Sequence, residues 1–260
     1  MALALITGAS AGIGRSYASV LASRGYDLIL VARSTARIEA LARELREQHH
    51  VSADAWTADL ATDAGREEVA SRIAALPRLD LLVNNAGFAT TGKLHKIPLE
   101  PQMEMLRLHM LAPMRLVTAA LPKMIEHHAG GIINVASIAG FIYGPGNVNY
   151  SATKAYLITF SLGLDTELAG TGVKVQALCP GFTHTEIHKG MPHVKQQIPS
   201  WLWMDADRVV AISLRQLERG GPVVCIPGKR NKLMKFVDSL VPHSFMRFMA
   251  VRRKSRRETR

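Results

Sequence analysis

Tyr150 and Lys154 stand four residues apart at the start of a helix-period run, so both side chains fall on one helix face. An ammonium held beside a phenol favours the phenolate and lowers the tyrosine pKa towards working pH. Ser137, twelve intervening residues before Tyr150, closes an apolar run of strand length. Its hydroxyl can donate a hydrogen bond to the same oxygen that the tyrosine serves. Such a trio can protonate a carbonyl oxygen while hydride arrives at its carbon. Tyr-x-x-x-Lys alone is also an ordinary amphipathic surface pattern, so the chemistry needs a hydride source elsewhere in the chain.

The first apolar run ends in Thr7-Gly8-Ala9-Ser10-Ala11-Gly12-Ile13-Gly14, and a helical pattern follows at once. Gly8 can make the tight turn, Gly12 lets the backbone approach a pyrophosphate, and Gly14 permits close helix–strand packing. The free amides of the helix start then face the phosphate charge. Glycine turns also occur without a ligand. The position between the first strand and first helix of a βαβ unit is what points to a nicotinamide dinucleotide. At the end of the second strand a carboxylate would bind the adenosine ribose, but Ala32-Arg33-Ser34 puts a guanidinium there. That substitution favours NADP over NAD, although a solvated strand-end cation would look the same. Asp59-Leu60 suits the flank of the adenine or, equally, a helix cap before Ala61. Asn84-Asn85-Ala86-Gly87 closes the fourth strand with amide side chains and a flexible turn beside the cofactor crevice.

These residues sit at the joints of a regular alternation. Strands are expected at 2–7, 28–32, 53–58, 79–84, 131–136, 173–178 and 223–226. Helical patterns lie near 13–24, 36–48, 63–75, 101–127, 150–169 and 205–219. Most strands are unbroken apolar runs, as expected when helices cover both faces of a parallel sheet. The fold class is therefore α/β: one doubly wound, Rossmann-type parallel sheet of about seven strands, with right-handed crossovers. Residues 1–228 would form a dinucleotide-binding and catalytic domain, and 229–260 a basic amphipathic C-terminal extension.

Taken together, the motifs resemble the short-chain dehydrogenase/reductase family, of the NADP-preferring type. The matching pieces are Thr-Gly-x-x-x-Gly-x-Gly at 7–14, Asn-Asn-Ala-Gly at 84–87, Ser137, Tyr150-x-x-x-Lys154, and Pro180-Gly181 followed by Thr185. They keep the family's order and spacing over about residues 2–226. The resemblance implies that Lys154 also holds the nicotinamide ribose. It further implies that Pro180, Gly181, Thr183 and Thr185 line the nicotinamide side, with Thr185 near the carboxamide, and that subunits pair as a homodimer or homotetramer. One position departs from the family pattern. Where relatives place an asparagine that holds a proton-relaying water, this chain has His109. A histidine can hold a water or shuttle protons itself. The alternative is a packed helix histidine with the relay weakened.

The segment 182–204 should arch over the crevice outside the strand ends and carries Phe182, Trp201, Leu202, Trp203 and Met204. With Phe141, Ile142 and Tyr143 as a facing wall, it suits a bulky apolar ketone such as a 3-oxoacyl lipid or a steroid. Trp201 to Met204 would equally serve to anchor the next helix. His184, His188 and His193 lack an accompanying carboxylate or cysteine cluster, so ordinary loop histidines, and no metal, are expected.

Composition bounds the remaining readings. The 260 residues are 48% hydrophobic, enough for a filled core. No run of apolar residues is long enough to span a bilayer, and no signal-peptide pattern opens the chain. Cys179 and Cys225 lie inside apolar runs and read as core thiols, which fits a reducing cytoplasm. Eleven Lys and Arg against Asp238 and Glu258 place +9 of the net +11 in residues 229–260. The body is nearly neutral, which argues against nucleic-acid binding. The tail alternates apolar and basic residues, a pattern for lying on an anionic membrane surface or for packing on the body or a neighbouring subunit. A rival function is an NADP-binding sensor or scaffold with weak turnover, for which His109 is the only support. A hydrolase using Ser137 lacks the His and Asp of a nucleophile elbow.

Overall fold

Most of the strands are apolar on both faces, so the sheet needs helices on each side. A computed structural model describes residues 1–142, 144–185, 198–241 and 244. Seven strands form one sheet: β1 (Leu3–Thr7), β2 (Asp27–Ala32), β3 (Ala53–Thr57), β4 (Leu81–Asn84), β5 (Gly130–Val135), β6 (Val173–Leu178) and β7 (Val224–Cys225). Their order is β3-β2-β1-β4-β5-β6-β7 and every pairing is parallel. The sheet and its helices match the expected fold class.

The helices are α1 (Gly12–Ala22), α2 (Thr35–His49), α3 (Asp63–Ala75), α4 (Leu99–Leu106), α5 (Ala112–Glu126), α6 (Val148–Glu167), α7 (Ala206–Glu218) and α8 (Lys229–Ser239). Neighbouring strand residues point to opposite faces and so enter different cores. Ala4, Ile6, Leu28 and Leu30 pack with Tyr17 of α1, Leu41 of α2 and Val210 of α7. Leu5, Ile29 and Leu82 pack with Val69 of α3, Leu116 of α5 and Leu164 of α6. Strand order reverses between β1 and β4, and the crevice outside the strand ends opens at that switch point.

Two features differ from the expected elements. The single helix expected over 101–127 is two helices joined by a π turn at Arg107–Leu111, with His109 buried inside it. Pro113 has no N–H to continue the α ladder, and the Ala112 N–H reaches back five residues to the Arg107 carbonyl. The second feature is α8. It docks through Asn231, 2% exposed, whose amide donates to the Pro227 carbonyl at 2.7 Å, while Met234 packs on Ile226 and Cys179. The rest of the basic tail lies outside the described residues, apart from Leu240, Val241 and Ser244. Both cysteines are buried and free.

Candidate active site

β1 delivers the glycine turn. Gly8 and Gly12 take φ of +65° and +56°, the left-handed region that favours glycine. Gly14 is required for packing: a Cβ there would stand 2.3 Å from the Gly8 carbonyl oxygen. α1 has no side-chain cap and no acidic residue in its first turn, which leaves its amides for an anion. Across the crevice, a Cβ on Gly12 would meet the Thr185 Cβ at 3.0 Å. A cleft of about 690 Å³ runs past these residues, in the range of small-molecule sites.

The cleft collects most of the expected residues. Gly8, Ser10, Gly12 and Ile13 line it from the glycine turn, and Arg33, Asp59 and Leu60 from the ends of β2 and β3. Asn85, Ala86 and Gly87 line it after β4, and Pro180, Gly181, Thr183 and Thr185 after β6. Gly14 lies behind this wall, against Gly8. The guanidinium of Arg33 is 65% exposed and pairs with Glu104 of α4 at 3.2 Å. Asp59 faces the cleft and also holds its own turn, its carboxylate accepting the Ala61 N–H at 2.9 Å. Thr62, rather than Asp59, caps α3.

The side chains of the Asn84-Asn85 pair turn inward to hold structure. Asn85 Nδ2 donates to the Thr7 carbonyl at 2.9 Å and the Gly8 carbonyl at 3.2 Å. The Thr7 hydroxyl answers by accepting the Asn85 and Ala86 N–H groups at 2.9 and 3.0 Å. Asn84 donates to Asn134 Oδ1 at 2.9 Å inside the sheet. Sequence reasoning missed Thr7, whose short side chain beside Gly8 was its only signal.

Ser137, Tyr150 and Lys154 line the same cleft. Ser137 ends the chain's exit from β5 and caps a short 3-10 turn, its Oγ accepting the Ala139 N–H at 3.1 Å. That turn lies directly on α6: a Cβ on Gly140 would meet the Lys154 carbonyl carbon at 2.8 Å. Gly140 thereby sets how closely Ser137 approaches the Tyr150 helix, and nothing in the lone sequence marks it. Burial pushes the Tyr150 hydroxyl above its usual pKa, and a hydrogen bond from Ser137 pulls the other way. The expected lowering of Tyr150 by Lys154 is absent in the protein alone. Lys154 Nζ donates to the Val135 carbonyl at 2.8 Å and lies 5.7 Å from the tyrosine ring centroid. Burial lowers the pKa of Lys154 itself to about 8.

His109 lines the cleft but is already engaged. Its Nε2 lies 3.1 Å from the Phe88 N–H and its Nδ1 3.0 Å from Thr153 Oγ1. Both ring nitrogens therefore have partners within the protein.

At the substrate end the expectations divide. Phe182 lines the cleft, its ring tilted on Trp203 at 5.6 Å. Phe141 does not: it packs on the cluster of Ile138, Leu157 and Cys179, beneath Lys235. Trp201 is 57% exposed and outside the cleft, covered by Arg230, which also donates to its carbonyl at 2.6 Å. α8 reaches both aromatics, through Lys235 and Arg230. Tyr143, His188 and His193 lie outside the described residues, and His184 stacks on Trp203 at 5.1 Å. Met234 of α8 completes the apolar wall and was missed because the tail was read as an appendage.

A parallel sheet with a glycine turn at its switch point and a Ser, Tyr, Lys trio beside it defines a nucleotide-dependent oxidoreductase of the Rossmann type. The chain matches the short chain dehydrogenase family over residues 2–195, and it belongs to that family. It is 34% identical over 203 residues to a 3-oxoacyl-(acyl-carrier-protein) reductase of Aquifex aeolicus, covering 76% of this chain and 82% of that one. A short-chain dehydrogenase from Sphingobium yanoikuyae in complex with NADPH superposes with a TM-score of 0.83 at 37% identity, over 88% of each chain. The bulky-bulky ketone specific alcohol dehydrogenase of Comamonas testosteroni gives 0.79 at 32% identity, over 94% of this chain and 96% of that one.

Proposed function

We propose that the protein is an NADPH-dependent carbonyl reductase, reversible towards alcohol oxidation, acting on a bulky apolar ketone such as a 3-oxoacyl lipid or a steroid. The observation that carries this reading is that Ser137, Tyr150 and Lys154 share one cleft with the glycine turn. The uncapped start of α1 and the bare backbone at Gly12 would hold the pyrophosphate, and Arg33 the 2′-phosphate. Lys154 would hold the nicotinamide ribose, with Thr185 on the carboxamide side. When bound, the reduced nicotinamide supplies the hydride that the carbonyl carbon gains. Tyr150 donates its phenolic proton to the carbonyl oxygen, while Ser137 donates a hydrogen bond to that oxygen. Lys154 as ammonium favours the phenolate left behind. With the hydride on its carbon and the Tyr150 proton on its oxygen, the ketone would leave as an alcohol.

The substrate class draws support from the apolar wall of Ile142, Phe182 and Met234 and from the activities of the Aquifex and Comamonas relatives. Self-association through α5 and α6 belongs to the same reading, since Met114 and Leu162 are 43% and 44% exposed there. So does peripheral contact with an anionic membrane through the tail, where Leu233, Val237 and Leu240 are exposed on or next to α8. Sedimentation with anionic liposomes, with and without residues 229–260, tests the latter; equal binding would remove it.

The deciding experiment is NADPH oxidation against a panel of long-chain, polycyclic and small polar ketones. Tyr150→Phe should lose about 10²–10⁴-fold in kcat. Full activity in that variant would sink the mechanism, and turnover of small polar ketones alone would sink the substrate class.

A further inference from the structure

His109 is 1% exposed, yet both of its ring nitrogens are bonded. The Phe88 backbone N–H can only donate, so Nε2 is the acceptor at 3.1 Å. The proton then sits on Nδ1 and is donated to Thr153 Oγ1 at 3.0 Å. The Thr153 hydroxyl in turn donates to the Tyr150 carbonyl at 2.8 Å. Three links run without a break from the turn after β4, which carries Asn85, Ala86 and Gly87, to the first turn of α6, which carries Tyr150. The ring fits only because residue 87 is glycine: a Cβ there would stand 2.6 Å from Nε2. Phe88 and Tyr150 close on the imidazole edge-on, with centroids at 6.1 and 6.0 Å.

On the reading of Tyr150 as the proton donor, we propose that His109 is a positioning residue. It is a neutral strut that fixes the Tyr150 turn against the dinucleotide turn at Gly87, and it carries no protons. A relay needs a nitrogen free to exchange its proton along the path, and here each nitrogen is committed to one partner. Cationic His109 would present a proton to the Phe88 N–H and break the first link. Burial and the facing ammonium of Lys154 both oppose that charge.

Nitrogen-15 NMR of the intact protein reads the strut directly, without activity. The expected signature is an Nδ1–H tautomer that does not titrate between about pH 5.5 and 8. Thr153→Val removes the middle link while keeping the side-chain shape, and should lower kcat about tenfold with the NADPH dissociation constant held, while the melting temperature falls because the buried Nδ1–H loses its acceptor. His109→Gln can still accept from Phe88 and should keep more activity than His109→Ala. The double variant Thr153→Val/His109→Ala should fall no further than the worse single one, because both cut the same chain of bonds. An Nε2–H tautomer, titration near the ordinary histidine pKa, or full kcat in Thr153→Val beside a dead His109→Gln would overturn the strut. Full activity in Tyr150→Phe would instead overturn the reading of Tyr150, while leaving the NMR signature as it is.

Discussion

At the dinucleotide end of the cleft the frame is tied through backbone groups, with Asn85 and Thr7 as the side chains that bond them. The Gly8 N–H donates to the Val31 carbonyl at 2.8 Å, Asn85 bonds the Thr7 and Gly8 carbonyls, and the Thr7 hydroxyl accepts two amides of the opposite turn. At the substrate end side chains hold one another: Phe182 and His184 on Trp203, Lys235 over Phe141, Arg230 over Trp201. Close backbone approach admits very few residue types at a position, whereas apolar packing admits many of similar size. The first end is therefore built for one cofactor class, and the second can be refitted to new substrates without touching the chemistry.

The sharpest break in this comparison should come from a single methyl group. Gly14→Ala puts a Cβ 2.3 Å from the Gly8 carbonyl oxygen, a backbone atom that cannot swing aside. Overpacking of this kind costs about 1–3 kcal/mol in stability. The larger effect should be on NADPH, with affinity falling by at least about 100-fold as the glycine turn is displaced. Thermal melting with and without NADPH checks both: the cofactor should raise the midpoint of the wild type and not of the variant. A similar rise in both would mean the turn yields easily.

The proton chemistry gives the next largest effect, about tenfold per pH unit. Burial lowers Lys154 to about 8, so its ammonium is present below that pH and lost above it. On the proposed mechanism, reduction needs that ammonium and a protonated Tyr150, whose raised pKa keeps its proton through the same range. The free-enzyme kcat/KM for reduction should thus be flat towards neutral pH and decline above about 8. A kcat/KM limb at the ordinary lysine value would show that Lys154 is solvated after all. Arg33→Ser should act more weakly. Its exposed pair with Glu104 contributes little, and a 2′-phosphate would compete for the same guanidinium. NADPH affinity should drop about tenfold with NADH affinity unchanged. Equal loss for both cofactors would remove the 2′-phosphate role.

How much of this was legible in the sequence follows the same division. The seven strands and the glycine turn could be read because each rests on a local rule: unbroken apolar runs, and glycine where a turn meets a helix. Ser137, Tyr150 and Lys154 were legible as a spaced set. The π turn at Arg107–Leu111 was not, since a helical pattern runs straight through it and only the missing N–H of Pro113 hints at the change. Nor was the use of Thr153 and Gly87 around His109, because residues far apart in the chain decide it. α8 shows the same limit most plainly. Its basic, amphipathic pattern reads as an appendage, yet Asn231 fits against Gly181, where a Cβ would meet its Oδ1 at 2.4 Å.

The substrate end should prove tolerant, and its smallest effects separate residues that line the cleft from residues that only stand near it. Met234 lines the cleft from α8, beside Ile142 and Phe182. Met234→Ala removes apolar area from that wall, and kcat/KM for a bulky ketone should fall about tenfold, chiefly through KM. NADPH affinity should fall far less, because Met234 lines the cleft from α8 and not from the glycine turn. Trp201 is the larger and more conspicuous residue, but it lies outside the cleft with 57% of its surface exposed. Trp201→Ala should change kcat/KM by no more than about twofold, since surface changes of this kind seldom exceed ±0.5 kcal/mol. If Trp201→Ala weakens bulky ketones more than Met234→Ala does, segment 198–204 closes over the substrate during turnover. The substrate end would then be held by motion as well as by packing.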